Sequence, residues 1–282
     1  MSIVTIDDSY LTAIGNAIRA KNGATTTYKP SEMAAAISAL ETGEDFLPQK
    51  ITNTLTSYSN NDITAIGRYG LYGCSSLTSV SLPNLTTIGP YGFCRCTGLT
   101  SLTLPNLTTI ERYGFASCTG LTSVSLPSVT MIKDYAFSGS GHEMSLKRLS
   151  CRNALLGVWV FSTLGEYESG TLTQYALEEL DIRGFLNEAE TAEDGIREGH
   201  LNDITINRLI LRKNDGIVEI KATSWSSVSD IMSNANFTLY VPDNLVSAYR
   251  EDPNWIEYCT NVQNSDVYTL IKRISDLGRA YL

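Results

Sequence analysis

The chain has 282 residues, of which 43% are hydrophobic, so it can bury a substantial core in one large domain or two ordinary ones. Its net charge of −9 disfavours nucleic acid and anionic membrane surfaces as partners, because binding to phosphate groups rests on Lys and Arg. The sequence contains no run of about 18 or more apolar residues, so it predicts no membrane span. Its acidic start does not resemble a signal peptide.

Residues 1–45 are predicted to form two short helices. In the first, Leu11, Ile14 and Ile18 recur at helical spacing. In the second, Pro30 fits the first turn. The apolar stripe of that second helix consists of Met33, Ala36, Ile37 and Leu40. A piece of this size is not stable alone, so we expect it to cap the next domain, to dock on a partner or to self-associate.

A repeat of 22 residues dominates the sequence from residue 55 onward. Residues 77–98 read LTSVSLPNLTTIGPYGFCRCTG, residues 99–120 read LTSLTLPNLTTIERYGFASCTG, and related stretches cover 55–76 and 121–140. The apolar columns are Leu55, Leu77, Leu99 and Leu121; Ile66, Ile88, Ile110 and Ile132; and Leu71, Phe93, Phe115 and Phe137. Because one unit cannot bury its own apolar face, we predict short stacked strands that form a solenoid.

Smaller repeat positions predict how each unit turns. A proline follows each strand, where a residue without an N–H ends pairing: Pro83, Pro105 and Pro127. A small residue is expected where turns crowd together: Gly70, Gly92, Gly114 and Ala136. Three cysteines recur every 22 residues, namely Cys74, Cys96 and Cys118. We therefore expect buried reduced thiols rather than a disulfide framework or a metal site.

After residue 140 the period loosens, but the strand signature persists. Further strands are predicted to begin at Leu146, Leu177, Ile206 and Phe237. Longer loops at residues 153–173 and 187–203 join them, and the second is rich in carboxylates. It lacks the alternating ligands and central glycine of a hand-type calcium site, so we interpret it as a solvated insertion. The solenoid with its C-terminal cap then covers residues 46–262 in about eight turns.

Residues 263–282 are predicted to form an amphipathic helix. Its apolar face consists of Val267, Leu270, Ile271, Ile274, Leu277 and Tyr281. This stripe fits either a terminal cap or a seam for oligomerisation. The predicted fold class is an α/β repeat, a solenoid of short stacked strands with helical N- and C-terminal segments.

The repeated unit L-x-x-L-x-L-P-x-L-T-x-I-x-x-Y-G/A-F-x-x-C resembles the BspA-like, or treponemal-type, leucine-rich repeat. The resemblance is close over residues 55–140 and traceable to about residue 262. It implies a curved leucine-rich-repeat solenoid used for adhesion to host proteins, other cells or surfaces, without catalysis. Members of that family are commonly exported and anchored, whereas neither signal is legible in this sequence.

The N-terminal stretch LTAIGNAIRAKNGATTTYKPSEMAAAISAL is similar to a short module of tail-associated structural proteins of phages and prophages of gut bacteria. A virion protein leaves the cell by lysis and needs no signal peptide. The resemblance implies a tail or receptor-binding component that recognises a protein or glycan on a bacterium, with residues 1–45 contacting other virion proteins. It also raises the expectation of a homo-oligomer, a trimer. The alternatives are a bacterial cell-surface adhesin and a purely structural virion component, so the location is the virion or the cell surface.

The first candidate ligand-binding residues are the outward positions of successive strands. They are rich in hydroxyls at first: Thr78, Ser79, Ser81, Thr100, Ser101, Thr103, Thr122, Ser123 and Ser125. Charged and polar residues follow in later strands: Lys147, Arg148, Ser150, Glu178, Glu179, Asp181, Asn207 and Arg208. A hydroxyl ladder can bind a glycan or a protein strand, and Ser and Thr are equally what a solvated strand face accepts.

A second candidate is the tyrosine column Tyr69, Tyr91, Tyr113 and Tyr135. Aromatic rings in register can stack on a sugar or dock a protein, or they can stack on each other and on neighbouring turns.

Neither a catalytic nor a metal site is predicted. His142 and His200 lie in loops that interrupt the repeat, outside the spacings of zinc-binding motifs, and we expect both on the surface. Cys94 and Cys96 share a face without completing four metal ligands. The phosphate-binding, dinucleotide-binding and nucleophile-elbow motifs are all missing from the sequence. We therefore expect a non-enzymatic binding module without a cofactor.

Overall fold

The structure is a computed structural model, and it describes residues 55–139, 145–162, 175–186, 193–194, 196, 200, 204–219, 237–259, 266–278 and 281. The two helices predicted in residues 1–45, and His142, lie outside the described residues.

Each early repeat folds into one coil that contains two short strands. Each strand pairs in parallel with a strand of a neighbouring coil. The first strands are β1 (Ser57–Ser59), β3 (Ser79–Ser81), β5 (Ser101–Thr103) and β7 (Ser123–Ser125). The second strands are β2 (Ala65–Ile66), β4 (Thr87–Ile88), β6 (Thr109–Ile110) and β8 (Met131–Ile132). Ladder partners such as Ser79 and Ser101, or Ile88 and Ile110, are 22 residues apart, so one sequence period is one coil.

A proline separates the two strands in the second, third and fourth coils, whereas the first coil has Asn61 at this position. Pro127, for example, lies between β7 and β8 and has no N–H to continue a ladder. In β9 (Arg148–Leu156), Ser150 pairs with Ser125, which places Arg152 at the position of this proline. The strand therefore runs through without a break, pairing first with β7 and then with β8. The loop predicted from residue 153 is wrong at its start for this reason.

Further strands continue the sheet in parallel. They are β10 (Tyr175–Leu186), β12 (Ile204–Leu211), β13 (Thr238–Val241) and β14 (Ile271–Arg273), while β11 (Glu193–Asp194) pairs antiparallel with β10. The long sheet has the order β14-β13-β12-β10-β9-β8-β6-β4-β2, and β1, β3 and β5 form a second sheet. The strands predicted near Leu146, Leu177, Ile206 and Phe237 are confirmed. The number of turns stays a prediction, because parts of the later coils lie outside the described residues.

Short helices close the C-terminal part of the chain. They are α1 (Val246–Glu251), α2 (Pro253–Glu257) and α3 (Val267–Leu270). The start of α2 is capped by Asp252, whose side chain accepts from the amides of Asn254 and Trp255 at 3.0 Å each.

The single amphipathic helix predicted over residues 263–282 is wrong over the described residues 266–278. One turn of α3 leads directly into β14 and then into a 3-10 turn, Ile274–Leu277. Ile271 is β-branched and pairs with Leu239 in the ladder, an environment that favours a strand. Leu270, Ile271 and Ile274 are buried in this arrangement, so half of the predicted apolar stripe is buried without a continuous helix.

The core consists of apolar columns that run along the solenoid, as predicted. Each member of the inner columns of Leu, Ile and Phe from the second to the fourth coil is at most 2% exposed. Phe93 and Phe115 stack with ring centroids 5.2 Å apart, Phe115 and Phe137 with centroids 5.4 Å apart. Burial of each such side chain is worth about 1.5–3 kcal/mol, so the columns dominate the stability of the early coils.

Glycines and cysteines also occupy repeated positions inside the coils. A Cβ added at Gly92 would lie 2.8 Å from Ile88 Cγ2, which confirms the predicted crowding. The Sγ atoms of Cys96 and Cys118 donate to the carbonyls of Leu71 and Phe93 at 3.1 and 3.0 Å. All six cysteines are buried and unpaired within the described part of the chain, which confirms the predicted buried thiols. Burial raises the pKa of Cys94 to about 11.

Candidate binding face

The first strands of the early coils present two columns of hydroxyl groups on the outside of the solenoid. Strand pairing places Ser79 opposite Ser101 and Ser81 opposite Thr103, and the side chain between them, Val80, points into the core. Parallel strands lie roughly 4.8 Å apart, which sets the spacing of the hydroxyls along each column. We define the hydroxyl face as Ser79, Ser81, Ser101, Thr103, Ser123 and Ser125, all exposed or half-buried.

The threonines that precede these strands have a different role. Thr78 Oγ1 donates to the Thr56 carbonyl at 2.8 Å, and Thr100 Oγ1 donates to the Thr78 carbonyl at 3.1 Å. These hydroxyls therefore join successive coils. Thr122 is exposed at the same position of the next coil.

Similar bonds between coils occur beside the second strands. Thr108 Oγ1 donates to the Thr86 carbonyl at 2.9 Å, and Asn106 Nδ2 donates to the Pro83 carbonyl at 2.8 Å. This structural role was not predicted from the sequence, although identical Thr and Asn residues at the repeat spacing are a visible signal of it. By contrast, the hydroxyls of the hydroxyl face form no hydrogen bond with any residue in the described ranges.

Two charged positions of the predicted face are covered. Glu179 and Asp181 occupy outward strand positions, yet they are only 6% and 1% exposed. Arg212 binds both carboxylate oxygens of Asp181, at 2.7 and 2.9 Å, and Arg152 lies 3.5 Å away. The expectation of an open charged ladder is wrong here, because arginine side chains fold over the carboxylates. The ion pairs that they form offset the cost of burying the carboxylates.

Glu179 has its own partners on the same surface. Arg208 Nη2 lies 3.0 Å from Glu179 Oε2, and the Tyr281 hydroxyl donates to the same oxygen at 2.9 Å. Burial, followed by the bond to Glu179, raises the pKa of Tyr281. The C-terminal end of the chain therefore covers part of the later strands.

The open face ends at β9. Lys147 and Arg148 are exposed there, and Arg148 Nη2 lies 3.0 Å from Glu178 Oε2. The side chains of this pair are 56% and 47% exposed, so the pair is accessible to a ligand. Ser150 is half-buried beside it. The accessible predicted residues thus run from β3 to this ion pair.

The four predicted tyrosines stack on each other. Successive ring centroids along Tyr69, Tyr91, Tyr113 and Tyr135 lie 4.9, 4.6 and 4.9 Å apart, with interplanar angles of 17°, 6° and 5°. Arg68 lies over the Tyr69 ring at 5.1 Å. The ring faces within the stack are therefore occupied, which leaves edges and hydroxyls there for a ligand.

The backbone of these tyrosines is in the left-handed region, with φ between 58° and 60°. That conformation is uncommon for residues other than glycine, and here it recurs once per coil. Trp159, with φ of 55°, continues the position in the next coil. Trp159 was not predicted from the sequence as a member of this column, although GVWVF at residues 157–161 matches the pattern of KDYAF at residues 133–137.

His200 lies inside the protein, which corrects the expectation of a surface histidine. It is 1% exposed, its Nε2 lies 3.0 Å from the Leu186 carbonyl oxygen, and its ring centroid is 4.8 Å from that of Phe185. Within the described ranges, no three His, Cys, Asp or Glu side chains are arranged to hold a metal ion. Among the described helices, none is long and apolar enough to cross a membrane.

Comparison with known proteins supports the repeat assignment. Residues 49–163 match a protein-family model described as a BspA type leucine rich repeat region, with six copies. The strand-rich leucine-rich-repeat fold predicted from the sequence is therefore confirmed. The search of curated proteins gives no match.

Among solved structures, the chain is similar to a leucine rich cell surface protein from Faecalibacterium prausnitzii A2-165. The sequence identity is 18% and the TM-score is 0.28. The alignment covers 68% of this chain and 62% of that protein, so the chain spans less than two thirds of its length.

Proposed function

We propose, from the BspA-type repeats of residues 49–163, that this protein is a non-enzymatic adhesion module that a bacterium presents on its surface. The hydroxyl face is its binding site, and its target is a protein or a glycan. The resemblance of the repeats to adhesive proteins supports the class of function, and the geometry of the early coils supports the location.

The observation that supports this proposal is that some hydroxyls form bonds between coils and others remain available to a ligand. Thr78 and Thr100 use theirs to join coils, whereas the hydroxyls of Ser101 and Thr103 have no bond within the described ranges. One hydrogen bond contributes only about 0.5–1.5 kcal/mol in water. Useful affinity therefore requires many bonds made in register by a repetitive or extended target.

The composition of the face bears on the target. Tight protein interfaces depend on central Trp, Tyr and Arg side chains in apolar pockets. The hydroxyl face consists of Ser and Thr, with charge only at the Arg148–Glu178 pair on its border. A target that offers many hydroxyl or amide groups, such as a glycan, suits this chemistry better than an apolar protein surface.

The test compares variants of purified protein in binding to a panel of bacterial cells, host cells and their glycans. Ser101→Glu combined with Ser123→Glu places two carboxylates on the hydroxyl face. We expect at least a tenfold loss of affinity, because the two carboxylates interrupt one column at successive coils and each needs its own hydration. Thr97→Glu with Thr119→Glu is the matched control, since these residues lie one coil apart in turns away from the face. Equal binding by both double variants would show that the face is not the site.

A phage tail role is the second candidate, and the N-terminal resemblance favours it. In that case residues 1–45 attach the protein to a particle, while the solenoid recognises the bacterium. Antibody detection in fractions of a producing culture separates the two candidates. Recovery with intact cells supports the surface adhesin, and recovery with particles released by lysis supports the tail component. A solution mass of three chains would support the trimer.

A further inference from the structure

Among the described strands, β14 lies at the end of the long sheet and pairs with β13 alone. An edge strand normally presents unpaired N–H and C=O groups that can pair with another chain. Alternate residues of a parallel strand bond to the same neighbour. Val241 pairs with Arg273, and the next residue, Pro242, has no N–H, so the bonds to β13 run through Lys272. The Ile271 carbonyl and the Arg273 amide therefore face the outer edge.

Side chains occupy both of these backbone groups. Arg250, on α1, donates from Nη2 and Nε to the Ile271 carbonyl at 2.6 and 3.2 Å. The Tyr268 ring lies 4.8 Å from the guanidinium carbon and helps to hold it in place. Asp276 Oδ2 accepts from the Arg273 amide at 3.1 Å. The Ile271 carbonyl and the Arg273 amide are thus already bonded within the chain.

We propose that Arg250 and Asp276 are edge blockers, which keep β14 from pairing with β14 of a second copy of this chain. A second copy is the fitting occupant because two identical edges can pair antiparallel about a two-fold axis, each offering the same carbonyl and amide. Without the two side chains, the carbonyl and the amide lose their partners in the chain, and an equivalent edge can replace these partners in competition with water. This inference is independent of the proposed binding function.

The experiment measures mass by light scattering over a range of concentrations. In the variant Arg250→Met with Asp276→Ala, we expect the mass to rise toward twofold that of the unchanged chain as concentration increases. Met keeps an unbranched apolar stem against Tyr268, and the net charge is unchanged. The matched control is Arg183→Met with Asp215→Ala. It removes an exposed ion pair whose N···O distance is 3.6 Å and which does not involve β14. The control should keep the mass of the unchanged chain.

A third substitution separates edge pairing from association through unfolding. Arg273 has φ of −81°, which proline can adopt. Arg273→Pro in the double variant removes the exposed amide, so we expect the mass to return to that of the unchanged chain. Two outcomes overturn the proposal: a double variant that never exceeds that mass, or association that Arg273→Pro leaves unchanged.

Discussion

At the scale of single residues, hydroxyl groups of one chemical kind have two different roles that depend on their place in the coil. Thr100 lies just before β5 and donates to the carbonyl of Thr78 in the preceding coil. Thr103 lies at the end of the same strand and points to solvent. Two positions that look alike in sequence thus differ in whether folding already uses the donor.

This difference predicts unequal effects of the same substitution. Thr100→Val removes the bond between coils and leaves the Thr78 carbonyl without that donor, so we expect a loss of about 0.5–1.5 kcal/mol in the free energy of unfolding. Thr103→Val at the hydroxyl face should change it by less than about 0.5 kcal/mol, because the hydroxyl has no bond within the described ranges and valine suits a strand. Urea unfolding of both variants is the measurement, and equal losses would contradict the assignment.

At the scale of elements, β9, β10 and β12 carry a layer of charge in place of the hydroxyls. Asp181 is buried between the guanidinium groups of Arg212 and Arg152, whereas Glu178 and Arg148 pair in the open. A buried carboxylate depends on its partners, because water no longer solvates it. An exposed pair gains little, because water and salt screen the attraction.

Two arginine substitutions should separate these situations. Arg212→Met leaves the Asp181 carboxylate with only the more distant Arg152, and we expect a destabilisation of about 3–5 kcal/mol. Arg148→Met removes the exposed pair with Glu178 and should change stability by about 1 kcal/mol or less. Thermal unfolding followed by circular dichroism compares them. Similar midpoints for the two variants would mean that Asp181 is solvated in solution.

The elements also show which features could be predicted from sequence. The columns of Leu, Ile and Phe follow from the repeat itself, since identical residues 22 apart must occupy equivalent sites. The second strands were missed because they have only two residues each, such as Thr87–Ile88, too few to show an alternating pattern. The predicted C-terminal helix failed because the spacing of Leu270, Ile271 and Ile274 fits both a helix and the observed turn, strand and 3-10 turn.

The candidate site was predictable only in part, for a similar reason. Alternation in L-x-x-L-x-L places Ser101 and Thr103 outside, as observed. It places Glu179 and Asp181 outside as well, but long arginine side chains from neighbouring strands and Tyr281 cover them. Such contacts join residues far apart in sequence, as with Tyr281 and Glu179, which are 102 positions apart. A pattern within one strand carries no information about them.

At the scale of the whole molecule, each early coil contacts chiefly the coils on either side, so stability is transmitted along one axis. The Phe column crosses several coils, and Phe115 lies between Phe93 and Phe137. A cavity at Phe115 should therefore weaken the packing between the coils on either side of it, and its effect should extend beyond Phe115 itself.

Phe115→Ala tests this view. Removing a fully buried ring should lower the free energy of unfolding by about 3–5 kcal/mol. We also expect faster amide hydrogen exchange in β3 to β8 than in β12 and β13, because the distant strands keep their neighbours. Mass spectrometry of exchanged peptides gives both regions in one experiment. A uniform increase along all described strands would indicate that the solenoid unfolds as a single cooperative unit.

The contacts between early coils have a consequence for how such a gene can change. The threonine bonds and both strand ladders join residues 22 positions apart, so every early coil offers its successor the same partners. Duplication or loss of one unit of 22 codons keeps the reading frame and recreates these contacts at the new junction. Recombination between the nearly identical units can therefore lengthen or shorten the hydroxyl face in whole steps, while the later strands and short helices are inherited unchanged.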